Sequence, residues 1–95
     1  NDRLPEVIEF EVDLHADERG YFLETWRQAR YLEAGIHDNF VQDNESCSEY
    51  GVLRGLHYQH PVGQGKLVRV IYGSIVDVAV DVDPDVVRGL CGMVR

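Results

Sequence analysis

The segment SIVDVAVDV, residues 74–82, carries the clearest β-strand signal in the chain. Valines occupy every second position from Val76 to Val82, and aspartates recur among the residues between them. Side chains of a strand alternate between the two faces of its sheet. The segment therefore predicts a strand with one apolar face and one mixed face.

Outward from this segment, the upstream sequence also has a β pattern. We predict strands at 7–12, 21–25, 40–42, 52–59 and 66–72. A polar turn is predicted at 15–20, and one short helix at 26–34, which Gly35 is placed to end. Short strands with glycine-rich turns and one small helix predict a single all-β domain over residues 1–95, a sandwich or barrel.

The end of the chain departs from this pattern. Residues 84–95 show no β alternation, no helix cap and no sensible edge strand, so we expect no strand there. A sheet ending at Val82 would leave an unpaired edge, which natural proteins usually cover. We therefore expect an atypical tail at 86–95 and an incomplete domain to which more chain belongs.

Composition and charge exclude several classes of function. The formal net charge is −8, whereas nucleic-acid binding needs a contiguous basic face. A small anionic ligand needs only two or three cations. The apolar run at 68–82 is interrupted by charged residues, so it predicts no membrane span, and no signal segment opens the chain. Cys47 and Cys91 form no Cys-x-x-Cys pair and read as reduced thiols, so we expect a cytoplasmic protein unless a leader has been removed.

Polar residues are concentrated between Gln42 and Lys66, interleaved with apolar positions of the predicted strands. The cluster contains Gln42, Asn44, Arg54, His57, Gln59, Gln64 and Lys66. Polar groups are costly to bury unless they are paired, so the cluster as a whole predicts a ligand cavity. For any one of these residues, a solvated sheet face is an equally good interpretation.

Four of the charged or titratable residues fit catalytic or binding roles. His57 fits a general base, and Lys66 fits a group that stabilises an oxyanion. Arg19 and Arg54 fit bidentate phosphate ligands. The alternatives are a merely hydrogen-bonded histidine and solvated surface cations. Because Arg54 and His57 are three residues apart, both face one cavity only if the chain bulges or kinks, for which Gly55 is the natural place.

A metal site is disfavoured by the spacing of the histidines. His57 and His60 point apart on an extended strand, and no cysteine or acidic residue lies close enough in sequence to complete a ligand set. The chain also lacks a glycine-rich phosphate loop, a Ser-His-Asp order and a nicotinamide fingerprint. We therefore predict no metal.

Five motifs together resemble the rhamnose-pathway 3,5-epimerases, which act on deoxythymidine-diphosphate sugars. They are DERGYFLE at 17–24, DNESCS at 43–48, GVLRGLHYQ at 51–59, QGKLVRV at 64–70 and DVAVD at 77–81. The resemblance runs from about residue 7 to residue 83. It implies a cupin-like jelly-roll that works without metal or organic cofactor, as a homodimer.

The resemblance also implies a reaction and its residues. The substrate is a nucleoside-diphosphate 4-keto-6-deoxyhexose, whose C4 carbonyl acidifies the protons at C3 and C5. By position, His57 is the base, Lys66 stabilises the enolate oxygen, and Arg19 and Arg54 hold the diphosphate. The positions that match the nucleotide and sugar pockets are Phe22, Glu24, Gln42 and Asn44.

The chain departs from the family pattern towards its end. The family's aspartate that orients the histidine, and its general-acid tyrosine, belong to a later part that has no counterpart here. After Asp85 the family continues with a Ser-Pro-Thr-Phe-Gly-like stretch that residues 86–95 do not match. We expect a truncated or frame-shifted reading frame. Three readings stay open: an epimerase, an inactive nucleotide-sugar-binding or dimerisation module, and a fragment that folds only by associating.

Overall fold

The computed structural model describes the backbone of residues 4–59, 61–83 and 86–94, and the side chains of 4–59 and 61–82. Its elements are β1 (Leu14–Asp17), β2 (Gly20–Leu23), α1 (Gln28–Glu33), β3 (Ile75–Asp83) and β4 (Val86–Val94). The regular structure is thus strand with one short helix, which confirms the all-β prediction. No helix in the described ranges has the length and apolarity needed to cross a membrane.

The chain divides into two compact units. One comprises Asn1–Trp26 with Val68–Arg95 and contains all four strands, and the other comprises Arg27–Leu67 and contains the helix. The prediction of a single domain over the whole chain stays a prediction.

Strands β1 and β2 form an antiparallel hairpin in which Asp17 lies opposite Gly20. Glu18 and Arg19 between them keep negative φ angles, so the turn is not of the primed type that two-residue hairpin loops usually adopt. Gly20 takes the positive φ instead, at 130°. The Arg19 backbone N–H donates to Asp17 Oδ1 at 2.8 Å and closes an Asx-turn. The predicted polar turn is present but shorter than expected, because residues 15–17 belong to β1.

Strands β3 and β4 form the longer hairpin, with a register that runs from Ile75 opposite Val94 to Asp83 opposite Val86. The strand expected at 74–82 is confirmed. The expectation that no strand follows it is wrong, because β4 pairs with β3 along its whole length. A ladder is made by backbone groups, and these pair whether or not the side chains alternate. The missing side-chain alternation at 86–95 therefore did not indicate that a strand is absent.

Helix α1 belongs to the second unit and ends at Glu33, one residue before the predicted end, and Gly35 terminates it as predicted. The Gly35 N–H donates to the Leu32 carbonyl at 3.0 Å, and the Ile36 N–H donates to the Tyr31 carbonyl at 2.9 Å. With Gly35 at φ 93°, this pair of bonds is a Schellman motif. The helix begins later than expected, at Gln28, because Arg27 is extended and provides no side-chain cap.

Four predicted strands are absent from the described residues, namely 7–12, 40–42, 52–59 and 66–72. A strand is stable only when a neighbour completes its hydrogen bonds, and periodicity does not supply that neighbour. In 52–59 the extended conformation is also interrupted at Gly55, whose φ is 120°. The all-β class is established, whereas the sandwich or barrel stays a prediction.

Burial of apolar side chains is sparse. Among the described residues only Leu4 and Tyr31 are buried, at 4% and 6% exposure. Large apolar side chains such as Leu53, at 93%, and Tyr72, at 98%, lie open to solvent. Tyr31 is therefore the main apolar anchor of the second unit.

Tyr31→Ala should lower the free energy of unfolding by about 2–4 kcal/mol, because truncating a buried aromatic side chain removes its contacts and leaves a cavity. Thermal and urea melts followed by circular dichroism measure the change. Tyr50→Ala is the matched control, since Tyr50 is fully exposed. Equal losses in the two variants would show that Tyr31 anchors nothing.

Candidate functional site

Arg19 lies at the tip of the β1–β2 hairpin and is held by a carboxylate. Its Nε and Nη2 donate to Asp17 Oδ2 at 3.1 and 2.5 Å. The Arg19 guanidinium lowers the pKa of the Asp17 carboxyl, and Asp17 in turn raises the pKa of Arg19. The Arg19 side chain is 84% exposed, so solvent screens the pair and its contribution to stability is small. A phosphate that binds Arg19 therefore meets a guanidinium whose positive charge is already balanced by the Asp17 carboxylate.

Phe22 lines an open pocket of about 380 Å³ within the first unit. The pocket is lined by Leu14, Tyr21, Phe22, Leu23, Thr25, Arg69, Val70 and Ile71. Its aromatic rings and its one cationic side chain, Arg69, could hold a planar ring and an anionic or carbonyl oxygen. Glu24, the other site residue predicted here, follows β2 directly and is half-buried.

Sequence reasoning missed Arg69. The residue lies in the QGKLVRV motif, three positions after Lys66, and only Lys66 was selected. A weak signal was available, since Arg69 is the only charged residue within the apolar run at 67–72. A charged residue in such a run is commonly a solvated one, so periodicity alone does not identify it as pocket-lining.

In the second unit, Arg54 is held by neutral acceptors. Its Nε donates to Ser48 Oγ at 2.8 Å, and its Nη2 donates to the Cys47 carbonyl at 3.3 Å. Close by in sequence, Gln42 Nε2 donates to Asn44 Oδ1 at 3.3 Å. The structure thus pairs two of the predicted amides with each other and fixes the predicted arginine on the loop before it.

His57 and Lys66 are exposed, and neither makes a hydrogen bond or ion pair with another described residue. Both groups are therefore accessible to a ligand. Since 52–59 is not a strand, the alternation that would separate Arg54 from His57 does not apply. The positive φ at Gly55 is the interruption that the sequence analysis anticipated there.

The described side chains include histidines, a cysteine and carboxylates that could in principle bind a metal. No three histidine, cysteine, aspartate or glutamate side chains lie together there as a metal site requires. Cys47 is a free, exposed thiol. His60 and the Cys91 side chain lie outside the described residues, so the predictions made for them stay predictions.

Comparison with known proteins places these residues in a family. Residues 1–88 match the family described as dTDP-4-dehydrorhamnose 3,5-epimerase. The chain belongs to this family. All the predicted site residues, from Arg19 to Lys66, lie inside the matched range.

Individual relatives agree with the family match. The chain is 58% identical over 78 residues to the dTDP-4-dehydrorhamnose 3,5-epimerase of Methanothermobacter thermautotrophicus, covering 82% of this chain and 42% of that protein. It is 53% identical over 81 residues to the protein of the same name from Shigella flexneri, with coverages of 83% and 45%. A more distant relative from Streptomyces niveus, 40% identical over 77 residues with coverages of 79% and 37%, is named a dTDP-4-dehydrorhamnose 3-epimerase. No solved structure matches.

The epimerase-family chain spans less than half the length of these relatives. Proteins named for 3,5-epimerisation and for 3-epimerisation both match this segment, so the match alone does not show which carbon is inverted. The predicted roles of the individual site residues stay predictions.

The ion pair between Asp17 and Arg19 makes the stability of the β1–β2 hairpin depend on pH, and the lowered pKa of Asp17 sets the direction. Because the Asp17 pKa is lowered in the folded state, the contact stabilises the hairpin above the unfolded pKa and is lost as pH falls through the lowered value. NMR titration of the Asp17 carboxyl should give a midpoint below the ordinary 3.8. Arg19→Ala should raise the midpoint towards that value without fully restoring it, because the backbone N–H of residue 19 still donates to Asp17 Oδ1.

Arg69→Ala is the control for this titration, since Arg69 lies in the same unit and makes no ion pair with Asp17. An Asp17 midpoint that is unchanged by Arg19→Ala would contradict the assigned cause of the shift.

Proposed function

We propose that this chain is the substrate-binding and base-bearing part of an enzyme that epimerises C3 and C5 of a nucleoside-diphosphate 4-keto-6-deoxyhexose. The observation that carries the proposal is the family match over residues 1–88, which includes every motif that holds a candidate site residue. Relatives at 58% and 53% identity are named for this reaction.

His57 is the general base in this proposal. The ketone at C4 acidifies the neighbouring C–H bonds, and the imidazole accepts the proton while the bonding electrons move onto the C4 oxygen. A proton from solvent then adds to the opposite face of the same carbon as the electrons return from the C4 oxygen, and His57 releases the proton that it accepted. A positioned base contributes about 10²- to 10⁴-fold to such a step. The exposed His57 ring, with no hydrogen bond to another described residue, is free to meet a substrate C–H.

Lys66 stabilises the enolate that forms between the two proton transfers. Its ammonium is exposed and unpaired among the described residues, so its charge is available to the oxygen at C4. A cation placed where negative charge develops favours the transition state over the ground state. No cofactor is needed, since the substrate's own carbonyl holds the electrons.

Arginines provide the diphosphate contacts. Arg54, in the second unit, is held by the Ser48 hydroxyl and the Cys47 carbonyl, and the family resemblance assigns it the diphosphate role. The same resemblance assigns that role to Arg19, in the first unit. The net charge of −8 does not argue against diphosphate binding, because phosphate binding depends on local charge and these arginines supply positive charge. Four further residues are assigned to the nucleotide and sugar pockets: Phe22, Glu24, Gln42 and Asn44.

The proposal includes a cupin-like jelly-roll fold and homodimeric assembly in the cytoplasm. Support comes from the exposed apolar side chains, among them Leu53 and Tyr72, which a stable fold buries against further strands or a second copy. An unpaired strand edge is likewise covered in natural β proteins.

Deuterium wash-in at C3 and C5 of deoxythymidine-diphosphate-4-keto-6-deoxyglucose, followed by NMR in heavy water, tests the catalytic proposal. We expect exchange above background with the chain present and a loss of at least about 100-fold in His57→Ala. His37→Ala is the matched control, because His37 is also exposed and lies in the same unit. Exchange at the parent rate in His57→Ala would overturn the role of His57.

A second candidate is a nucleotide-sugar-binding or dimerisation module without catalysis. It is favoured by the exposed apolar side chains, among them Leu53 and Tyr72, because a ligand or a second copy would cover them. It predicts that deoxythymidine diphosphate binds although no deuterium is incorporated. A melt that depends on protein concentration would show in addition that folding is coupled to association.

Arg54→Ala should weaken deoxythymidine diphosphate binding by about 10- to 100-fold, since it removes a charge-assisted hydrogen bond. Isothermal titration calorimetry measures the change, with Arg30→Ala on α1 as the control cation. If the parent chain gives neither heat nor a thermal shift with this ligand, the binding-module proposal fails.

A further inference from the structure

Two arginines assigned to the diphosphate are held by chemically different groups. Arg19 is paired with the Asp17 carboxylate, whereas Arg54 is bound by the Ser48 hydroxyl and the Cys47 carbonyl. Both arrangements orient a guanidinium by occupying Nε and Nη2. Only the second leaves the guanidinium without an ion pair among the described residues.

The bonds made by Arg54 determine which of its donors remain. Nε is committed to Ser48 Oγ at 2.8 Å, and one N–H of Nη2 is committed to the Cys47 carbonyl at 3.3 Å. The two N–H groups of Nη1 and the second N–H of Nη2 remain, and they lie in the guanidinium plane at the end of the side chain. Such an end-on pair of nitrogens can take two oxygens of one phosphate.

We propose that Ser48 is a positioning residue for phosphate binding: its hydroxyl fixes Arg54 with the Nη1/Nη2 end presented, without neutralising its charge. The proposal rests on the assignment of Arg54 to the substrate diphosphate and deepens it. Without Ser48, the exposed arginine would sample many rotamers, and binding would have to order it. With Ser48 in place, the Arg54 side chain is partly ordered before the ligand binds.

The same geometry explains why a neutral acceptor suits this position. An aspartate in place of Ser48 would also accept from Nε, as Asp17 does for Arg19, but it would set a carboxylate beside the incoming phosphate. Threonine keeps the hydroxyl acceptor, and alanine removes it. Four variants therefore separate orientation from charge: Ser48→Ala, Ser48→Thr, Ser48→Asp and the control Ser46→Ala. Ser46 lies in the same loop and makes no hydrogen bond to Arg54.

Calorimetric titration of the full chain with deoxythymidine diphosphate, inorganic pyrophosphate and deoxythymidine is the test. Ser48→Ala should weaken binding of the two phosphate ligands by about three- to tenfold, the size expected for one net hydrogen bond. Ser48→Thr should restore most of the affinity, Ser48→Asp should not, and Ser46→Ala should match the parent. Deoxythymidine, which carries no phosphate, should bind all variants alike.

A readout on Arg54 itself accompanies the titrations. In the free protein, the Arg54 Nε–H resonance should move and exchange faster with solvent in Ser48→Ala than in Ser48→Thr. Unchanged phosphate affinity in Ser48→Ala overturns the proposal, as does an equal loss for deoxythymidine, which would mark a general structural role. An Arg54 Nε–H resonance that does not change in Ser48→Ala also overturns the proposal. This measurement involves no ligand.

Failure of catalysis and failure of positioning are distinguishable. If the parent binds deoxythymidine diphosphate but exchanges no deuterium into the 4-keto sugar, the proposed reaction fails, and the Ser48 variants still decide the positioning role. If the parent binds neither phosphate ligand, the positioning role falls together with the diphosphate assignment.

Discussion

Interstrand hydrogen bonds between the nine-residue strands β3 and β4 are the constraint on which the first unit depends. Two buried apolar side chains among the described residues cannot order a chain of this length, whereas a backbone ladder satisfies its own donors and acceptors as it forms. Each such bond contributes only about 1 kcal/mol net, and an isolated hairpin is marginal in water. The pairing therefore sets the register, while lasting stability requires cover for the exposed apolar faces.

Local chemistry decided which parts of this fold were predictable. The Schellman motif at Gly35, the Asx-turn of Asp17 and the strand at β3 all follow from residues a few positions apart, and sequence analysis found the helix end, the turn and the strand. The segments 52–59 and 66–72 contain strand-forming residues but have no partner strand among the described residues, and residue type cannot report whether a partner exists. The strand β4 was missed for the converse reason, since its partner was adjacent while its pattern was poor.

Prediction of the candidate site had a different limit. The types of His57, Lys66 and Arg54 indicated acid–base and anion chemistry, but their roles came from a family resemblance that the matched range over residues 1–88 then confirmed as family membership. The hydrogen bond from Arg54 to Ser48 joins residues six positions apart in an irregular loop, and no sequence periodicity predicts it. The Asx-turn at Asp17 was accessible to sequence reasoning, because an aspartate in a turn commonly accepts a hydrogen bond from the backbone N–H two residues on. The pairing of its carboxylate with the Arg19 side chain was not predicted.

The contrast between the two arginines makes ionic strength informative. Added salt weakens the exposed attraction between Asp17 and Arg19, whereas the hydrogen bonds from Arg54 to a hydroxyl and a carbonyl involve no opposing ion. As salt rises, the hold of Asp17 on Arg19 should therefore weaken more than the hold of Ser48 on Arg54. The orientation of Arg19 thus depends on the salt concentration, whereas the orientation of Arg54 is set by neutral groups of its own loop.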